Sequence, residues 1–203
     1  MKNRDHLPGD IVLASASPRR AALLKDLGWK FRVEPPDIDE HFLKGVSPSR
    51  QAVRLALEKA KASPSHSGSS LVIAADTVVV IGSDILGKPA GPEDAFRMLS
   101  LLSGKTHSVI TGIAVKWGEI LASGFEDTKV TFRELSSGQI WAYIAEGESM
   151  DKAGGYAIQG SGSLLVRSIE GCYFNVVGLP LYRLSRLLED IGVPLESQWG
   201  ETE

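Results

Sequence analysis

The segment of residues 11–28, IVLASASPRRAALLKDLG, constrains the fold more than any other part of this chain. A short, β-branched apolar run at residues 11–14 is followed at once by an amphipathic pattern. Ser17 is a typical N-cap, Pro18 suits the first helical position, and Gly28 is a typical residue at a helix end. The sequence therefore predicts a strand that passes through a short turn directly into a helix.

The turn between this strand and helix carries two hydroxyls and two guanidiniums, from Ser15, Ser17, Arg19 and Arg20. The free N–H groups and the dipole of a helix N-terminus favour an anion, and arginine offers paired donors that match phosphate oxygens. We therefore predict that these four residues bind a phosphorylated ligand. The alternative is a capped helix whose first-turn arginines are solvated. On either interpretation, removing one arginine should change stability little.

Composition limits the class of protein. The 203 residues are 43% hydrophobic and 23% charged, which suits one globular domain over residues 1–193 with two lobes, followed by a polar tail at residues 194–203. A formal net charge of −3 argues against a broad nucleic-acid surface. The single Cys172 excludes an intrachain disulfide, and no apolar stretch approaches the length of a membrane span. We expect a cytoplasmic protein that binds neither nucleic acid nor membranes.

The rest of the chain interleaves helical and strand patterns. Helices are predicted at residues 47–62, 92–102, 136–145 and 181–191. Strands are predicted at residues 31–34, 71–81, 109–117, 121–132, 164–169 and 173–177. A glycine-rich loop is predicted at residues 150–163. This order predicts an α/β fold with a mixed sheet and flanking helices. The four histidines lack zinc-ligand spacing and are expected at the surface.

Asp76 interrupts the apolar run of residues 71–81. Burying an unpaired carboxylate is costly, and the flanking residues do not alternate in a way that would place Asp76 on a solvated face. Asp76 is therefore a candidate general base or metal ligand. Asp37, Asp39 and Glu40 could add oxygen ligands for Mg²⁺ or Mn²⁺. A solvated acidic loop explains Asp37 better and Glu40 equally well.

Two lysines and a glutamine complete the candidate set. Lys59 continues the apolar stripe of its helix, although a lysine at such a position more often extends its ammonium to solvent. Lys88 follows a predicted hairpin, and with the two arginines of the turn these lysines could balance the charge of a nucleoside triphosphate. Gln159 lies in the glycine-rich loop, where its amide could donate to and accept from a base edge. An ordinary glycine-rich turn is the alternative there.

Six motifs occur in order along the chain: SASPRR at residues 15–20, ADT at 75–77, GKP at 87–89, LSGKTH at 102–107, DKAG at 151–154 and GLP at 178–180. Over residues 11–191 the chain resembles the Maf-like nucleoside triphosphate pyrophosphatases, and Ile158-Gln159-Gly160 resembles the branch that acts on dTTP and UTP. The resemblance implies an elongated α/β fold, similar to inosine triphosphate pyrophosphatase, with two lobes around a nucleotide cleft. It implies metal-dependent hydrolysis to the nucleoside monophosphate and pyrophosphate.

The resemblance also implies roles for single residues. Asp76 falls on the catalytic acid/base position, and with Glu40 it could share a divalent cation, Mg²⁺ or Mn²⁺. The positions that contact substrate or influence its choice are Ser17, Arg19, Arg20, Lys59, Thr77, Lys88 and Gln159, with Ser15 added from the turn itself. Two alternatives stay open: a non-catalytic, nucleotide-binding regulator of cell division, and the branch that acts on 7-methyl-GTP. The long strands around residues 109–132 could supply the edge of a homodimer.

Overall fold

The computed structural model describes residues 7–63 and 70–199. Its strands are β1 (Ile11–Leu13), β2 (Arg32–Val33), β3 (Leu71–Ile81), β4 (Asp84–Leu86), β5 (Thr106–Trp117), β6 (Ile120–Phe132) and β7 (Val166–Glu170). Its helices are α1 (Pro18–Asp26), α2 (Pro48–Ala62), α3 (Pro92–Leu102), α4 (Ser137–Ala145), α5 (Tyr173–Val177) and α6 (Leu181–Asp190). Within the described ranges, no helix combines the length and apolarity that crossing a membrane requires.

The strands form one mixed sheet. Its order is β2-β1-β3-β5-β6-β7, and β4 pairs with β3 outside this path. β1 runs parallel to both β2 and β3, whereas the β3–β4 and β6–β7 pairs are antiparallel. Parallel neighbours need a crossover connection. Helix α1 connects β1 to β2, and helix α2 connects β2 to β3. The predicted α/β class with a mixed sheet and flanking helices is therefore confirmed.

The chain divides into two compact units. The first unit comprises Met1–Asp76, Thr111–Glu126 and Gly178–Glu203. The second comprises Thr77–Ile110 and Asp127–Val177. The boundaries fall within β3, β5 and β6, so each of these three strands contributes residues to both units.

In the first unit, helix α2 lies directly on the sheet. A Cβ atom added to Gly112 of β5 would lie 2.2 Å from the carbonyl carbon of Ala52 in α2, so only glycine allows this approach. Small and β-branched side chains fill the interface: Val12, Ala14, Ala56, Ala60, Val72, Ala74 and Ala114 are all fully buried. Because the backbone of α2 touches the sheet at this point, the distance between helix and sheet is fixed. The positions of the other side chains of α2 relative to the sheet are fixed with it.

The C-terminal segment predicted as a polar tail is described as far as residue 199. Leu195–Ser197 form a 3₁₀ turn. The Trp29 indole donates a hydrogen bond of 2.8 Å to the carbonyl oxygen of Gln198. The side-chain amide of Gln198 donates to the carbonyl oxygens of Ser185 and Val193.

In the second unit, His107 is buried, so its predicted place at the surface is wrong. Its Nε2 atom shares a hydrogen bond of 2.7 Å with the Tyr156 hydroxyl. The rings of His107 and Tyr156 each pack edge-on against Phe132, with centroids 5.0 and 4.6 Å from it. Burial lowers the pKa of His107 to about 4 and raises the pKa of Tyr156. Phe132 and Tyr156, which pack against His107, are distant from it in sequence. The spacing of the histidines therefore did not indicate that His107 is buried.

The segment Tyr173–Val177 is helix α5, so the predicted strand at these residues is wrong. Its aromatic and β-branched residues favour a strand by propensity. Tertiary hydrogen bonds override that preference: the fully buried Asn175 amide donates to the carbonyl oxygen of Val109 and to the hydroxyl of Thr128. The same hydroxyl accepts from the backbone N–H of Cys172, which precedes the helix.

Candidate active site

The predicted strand–turn–helix is present, from β1 to α1. Ser17 is the N-cap of α1, and its hydroxyl accepts a long hydrogen bond of 3.5 Å from the Arg20 backbone N–H. The Ser15 hydroxyl accepts from the Ser17 backbone N–H at 3.2 Å. The turn is thus ordered by its own side chains before any ligand is considered.

Arg20 is buried, and its guanidinium is used inside the protein. Nε donates to the carbonyl oxygen of Gly178 at 2.7 Å, and Nη1 donates to the Ser15 hydroxyl and to the carbonyl oxygen of Ala75, both at 2.9 Å. Desolvation lowers the pKa of Arg20, and the nearby Asp76 carboxylate opposes that shift. A guanidinium stays protonated in proteins nonetheless. The interpretation of Arg20 as a solvated first-turn residue is therefore wrong.

Lys59 lies between two carboxylates. Its Nζ atom is 2.8 Å from Oδ1 of Asp76 and 2.7 Å from Oε1 of Glu40. Lys59 and Asp76 are each 7% exposed, whereas the Glu40 side chain is 46% exposed. The interpretation of Lys59 as a lysine that extends its ammonium to solvent is therefore wrong. The charge of the Asp76 carboxylate, buried in the otherwise apolar β3, is compensated by this ion pair.

Glu40 and Asp76 are the two carboxylates of this site that could hold a divalent cation. Among the residues that the structure describes, no three His, Cys, Asp or Glu side chains come together as a metal site. Glu40 and Asp76 reach the same ammonium, so one cationic centre can interact with both. Mg²⁺ commonly takes one or two protein carboxylates and completes its shell with water and substrate phosphates. The pair fits a cation held jointly with a nucleotide. Asp39 instead pairs with His41, at 3.0 Å.

The structure places the predicted site residues in two groups. The first unit brings together Ser15, Arg20, Glu40, Lys59 and Asp76 through the contacts above. Arg19 and Ser17 lie at the start of α1 and are half-buried. The Arg19 side chain forms neither a hydrogen bond nor an ion pair with any residue of the described ranges, which leaves its guanidinium available to an anion.

The second unit holds the other three predicted residues. Thr77 follows Asp76 on β3 and is half-buried, while Lys88 and Gln159 are exposed. Lys88 follows β4, and Gln159 precedes a 3₁₀ turn at Gly160–Leu165. Each belongs to the element where the sequence placed it.

Sequence reasoning missed the two carbonyl oxygens that Arg20 binds. Those of Ala75 and Gly178 carry no side-chain signal, although Ala75 lies in the ADT motif and Gly178 in the GLP motif. Gly178 has a φ of 119°, a region that glycine adopts readily. A glycine two residues before Pro180 was therefore the available sign of a special backbone position.

Comparison with known proteins extends these observations. A family model described as Maf-like protein matches residues 10–191. A dTTP/UTP pyrophosphatase of Syntrophomonas wolfei is 51% identical over 178 residues, covering 87% of this chain and 94% of the relative. A dTTP/UTP pyrophosphatase of Moorella thermoacetica is 50% identical over 192 residues, covering 94% and 97%.

Among solved structures, the Ham1 protein of Staphylococcus aureus aligns with 61% of this chain and 71% of its own, with 16% identity and a TM-score of 0.42. The family match and the two relatives span most of the chain. The chain therefore belongs to the Maf-like protein family.

Proposed function

We propose that this chain is a nucleoside triphosphate pyrophosphatase that hydrolyses dTTP and UTP to the nucleoside monophosphate and pyrophosphate. The relatives that match nearly its whole length carry that name. The observation that carries the proposal is the buried ion pair of Asp76 and Lys59, beside the arginine-bearing turn. A buried carboxylate next to a cluster of cations suits hydrolysis of a polyanion.

Asp76 is the proposed general base. Lys59 holds one of its oxygens at 2.8 Å, so the orientation of the carboxylate is fixed before substrate arrives. In the reaction, a water attacks the α-phosphorus and transfers its proton to Asp76. The bond from that phosphorus to the bridging oxygen breaks, and the electron pair leaves with pyrophosphate.

The cations of the first unit would act in two ways. Arg19 and the N-terminus of α1 would bind phosphate oxygens directly, since the Arg19 guanidinium is unpaired among the described residues. Arg20 would position the site: its hydrogen bonds hold the Ser15 hydroxyl and the peptide group that precedes Asp76. Lys88 and Thr77 of the second unit are proposed as further substrate contacts, from the resemblance alone.

We propose Mg²⁺ or Mn²⁺ as cofactor, with Glu40 and Asp76 as its protein ligands. When bound, such an ion polarises phosphate oxygens and lowers the pKa of an attacking water. Lys59 pairs with the same two carboxylates, so it limits their repulsion whenever they carry their full negative charge.

Gln159 is the proposed selector of the base. Uracil and thymine present a carbonyl acceptor beside a ring N–H donor, and one carboxamide can satisfy both. Cytosine lacks that ring N–H and carries an amine in place of one carbonyl. A polar group left unpaired by the wrong ligand discriminates strongly. UTP and dTTP should therefore be better substrates than CTP, and purine triphosphates should be poor.

We also infer that the protein works in the cytoplasm, where its nucleotide substrates are. The predicted dimer edge at residues 109–132 needs correction for β5, which lies between β3 and β6 in the sheet and so offers no edge. We propose the part of β6 that precedes its pairing with β7, residues 120–128, as the edge for a second copy. Neither inference enters the mechanism, which uses residues of this chain alone.

The test is pyrophosphate release from UTP, dTTP, CTP, ATP, GTP and 7-methyl-GTP, with Mg²⁺ or Mn²⁺. Asp76→Asn should lower turnover by about 10²–10⁴-fold, the usual effect of losing a general base. Asp84→Asn is the matched control, because Asp84 is exposed on β4. Gln159→Leu should narrow the preference for UTP over CTP.

Three outcomes would contradict parts of the proposal. Near-normal turnover by a folded Asp76→Asn protein would remove the assignment of the base. A wild-type preference for GTP or 7-methyl-GTP would change the branch and leave the pyrophosphatase activity standing. Binding of nucleotides without any release would favour the non-catalytic regulator, which has no evident need for a buried, ion-paired carboxylate beside a phosphate-binding turn.

A further inference from the structure

The loop that carries Gln159, residues 157–162, is anchored at its start. Ala157 is buried, and its backbone N–H donates to the Tyr143 hydroxyl at 3.3 Å. Tyr143 lies on α4 and is itself buried. Two residues later Gln159 is exposed. The chain thus leaves a fixed point on the second unit just before the residue proposed to select the base.

The same loop is anchored at its end by Glu148. Oε1 of Glu148 accepts from the Ser161 N–H at 3.1 Å, and Oε2 accepts from the Gly162 N–H at 3.2 Å. A carboxylate that receives two successive backbone N–H groups holds them with charge-assisted hydrogen bonds, which are stronger than neutral ones. Both ends of the loop are therefore tied to the segment 143–148.

The glycines of the loop show how closely these anchors approach. A Cβ atom on Gly160 would lie 2.4 Å from Oε1 of Glu148. A Cβ atom on Gly162 would lie 2.3 Å from the carbonyl oxygen of Ala157 and 2.7 Å from the Tyr143 hydroxyl. The two ends of the loop are thus in contact with each other as well as with their anchors.

A carboxamide selects one base edge only if its position is fixed. The amide can turn over about its last side-chain bond without movement of the backbone, and the exchanged pattern of donor and acceptor suits cytosine, whose edge is the reverse of the uracil edge. The position of the backbone decides instead how far the amide reaches and at what angle it meets a base edge, and a hydrogen bond weakens steeply when either departs from its preferred range. A loop that lets the glutamine backbone shift would therefore reduce the difference between uracil and cytosine, because neither pattern would be met with good geometry.

We propose that Glu148, together with Tyr143, is a positioning residue for base selection: it closes the 157–162 loop and so fixes Gln159. The proposal rests on the proposed function for the identity of the base, and on the contacts above for the closure. Glu148 acts through Gln159 and touches no reacting atom. Its loss should therefore change discrimination between pyrimidines more than it changes the chemical step.

The experiment compares Glu148→Gln with the matched control Glu146→Gln. Glu146 is the C-cap of α4, two residues before Glu148, and is exposed. Hydrogen exchange of peptides that cover residues 157–162 is measured in the nucleotide-free proteins, and kcat and KM are measured for UTP and CTP. In Glu148→Gln we expect faster exchange, a higher KM for UTP with a smaller change in kcat, and a UTP-to-CTP ratio of kcat/KM that falls about ten-fold.

Glu146→Gln should match the wild type in both measurements. Tyr143→Phe removes the other anchor and keeps the ring, so it should shift both in the same direction as Glu148→Gln. If Glu148→Gln does not fold, Tyr143→Phe tests the proposed closure of the loop in its place.

Unchanged exchange in Glu148→Gln would overturn the proposed closure. Faster exchange with an unchanged UTP-to-CTP ratio would overturn the role in selection. A wild type that does not prefer UTP over CTP would overturn the proposed substrate instead, and the exchange measurement would then decide by itself whether Glu148 holds the loop.

Discussion

Replacing Arg20 by alanine tests whether this residue organises the site or merely lines it. The guanidinium donates three hydrogen bonds to buried acceptors. A hydrogen bond from a charged group contributes about 1.5–3 kcal/mol. Because these energies are not additive and water can enter the vacated space, we expect the free energy of unfolding to fall by about 3–5 kcal/mol, as expected when a buried hydrogen-bond network is broken.

Arg19→Ala is the matched control, one position away on the same helix. The Arg19 side chain has no hydrogen bond or ion pair within the described ranges, so its removal should change stability by about 0.5 kcal/mol or less. Both variants should lose kcat/KM for UTP. Arg20→Ala should therefore lower both stability and kcat/KM, whereas Arg19→Ala should lower kcat/KM alone.

The assay is urea unfolding followed by circular dichroism, with kcat/KM measured on each folded variant. Arg20→Lys adds a third point, since lysine keeps the charge but cannot reproduce the fork of donors. It should recover only a small part of the lost stability. An Arg20→Ala protein as stable as Arg19→Ala would refute the argument that the guanidinium holds the turn, β3 and the segment before α6 together.

Two further predictions concern stability. Because burial lowers the pKa of His107 from 6.5 to about 4, the unfolded chain binds a proton there that the folded chain does not, so stability should fall by about 3 kcal/mol as the pH drops from about 6.5 to about 4. Urea unfolding across that range should show the slope, and a variant His107→Gln that kept it would contradict this cause. Gly112→Ala should destabilise by about 3 kcal/mol or more, because its Cβ atom would overlap the Ala52 backbone. In α4, a Cβ atom added to Gly138 would lie 4.0 Å from the Ser136 hydroxyl, its nearest neighbour. Gly138→Ala should therefore be neutral or stabilising by the same assay.

Much of the fold follows from local signals. β3 and α3 have the predicted bounds, because a mostly apolar run and a proline at the first helical position are signals that neighbours in sequence provide. The two errors are of another kind. α5 and the burial of His107 depend on Thr128, Phe132 and Tyr156, which lie far away in sequence, and no periodicity within either segment records them.

The candidate site likewise has features that local sequence predicts and features that depend on residues far away in sequence. The apolar stripe of α2 already placed Lys59 on the inner face, and the apolar residues on both sides of Asp76 marked this carboxylate as unusual. Their pairing with each other, and with Glu40 from a loop, depends on the approach of α2 to the sheet at Gly112. Arg20 is harder still, because its acceptors include backbone carbonyl oxygens, which every residue possesses. Residue types at the site can therefore be read from sequence, whereas their partners cannot.

The hydrogen bond from Arg20 to Gly178 spans 158 positions of the chain, which bears on the order of events during synthesis. The strand and helix that carry Arg20 leave the ribosome early, but one acceptor of its guanidinium follows only near the end. Until then the arginine must stay hydrated, because burying it without that partner is costly. The turn between β1 and α1 and the peptide before Asp76 are therefore expected to reach their final arrangement late in folding. Contacts of such long range also slow folding, so incomplete chains should form core strands before the candidate site is assembled.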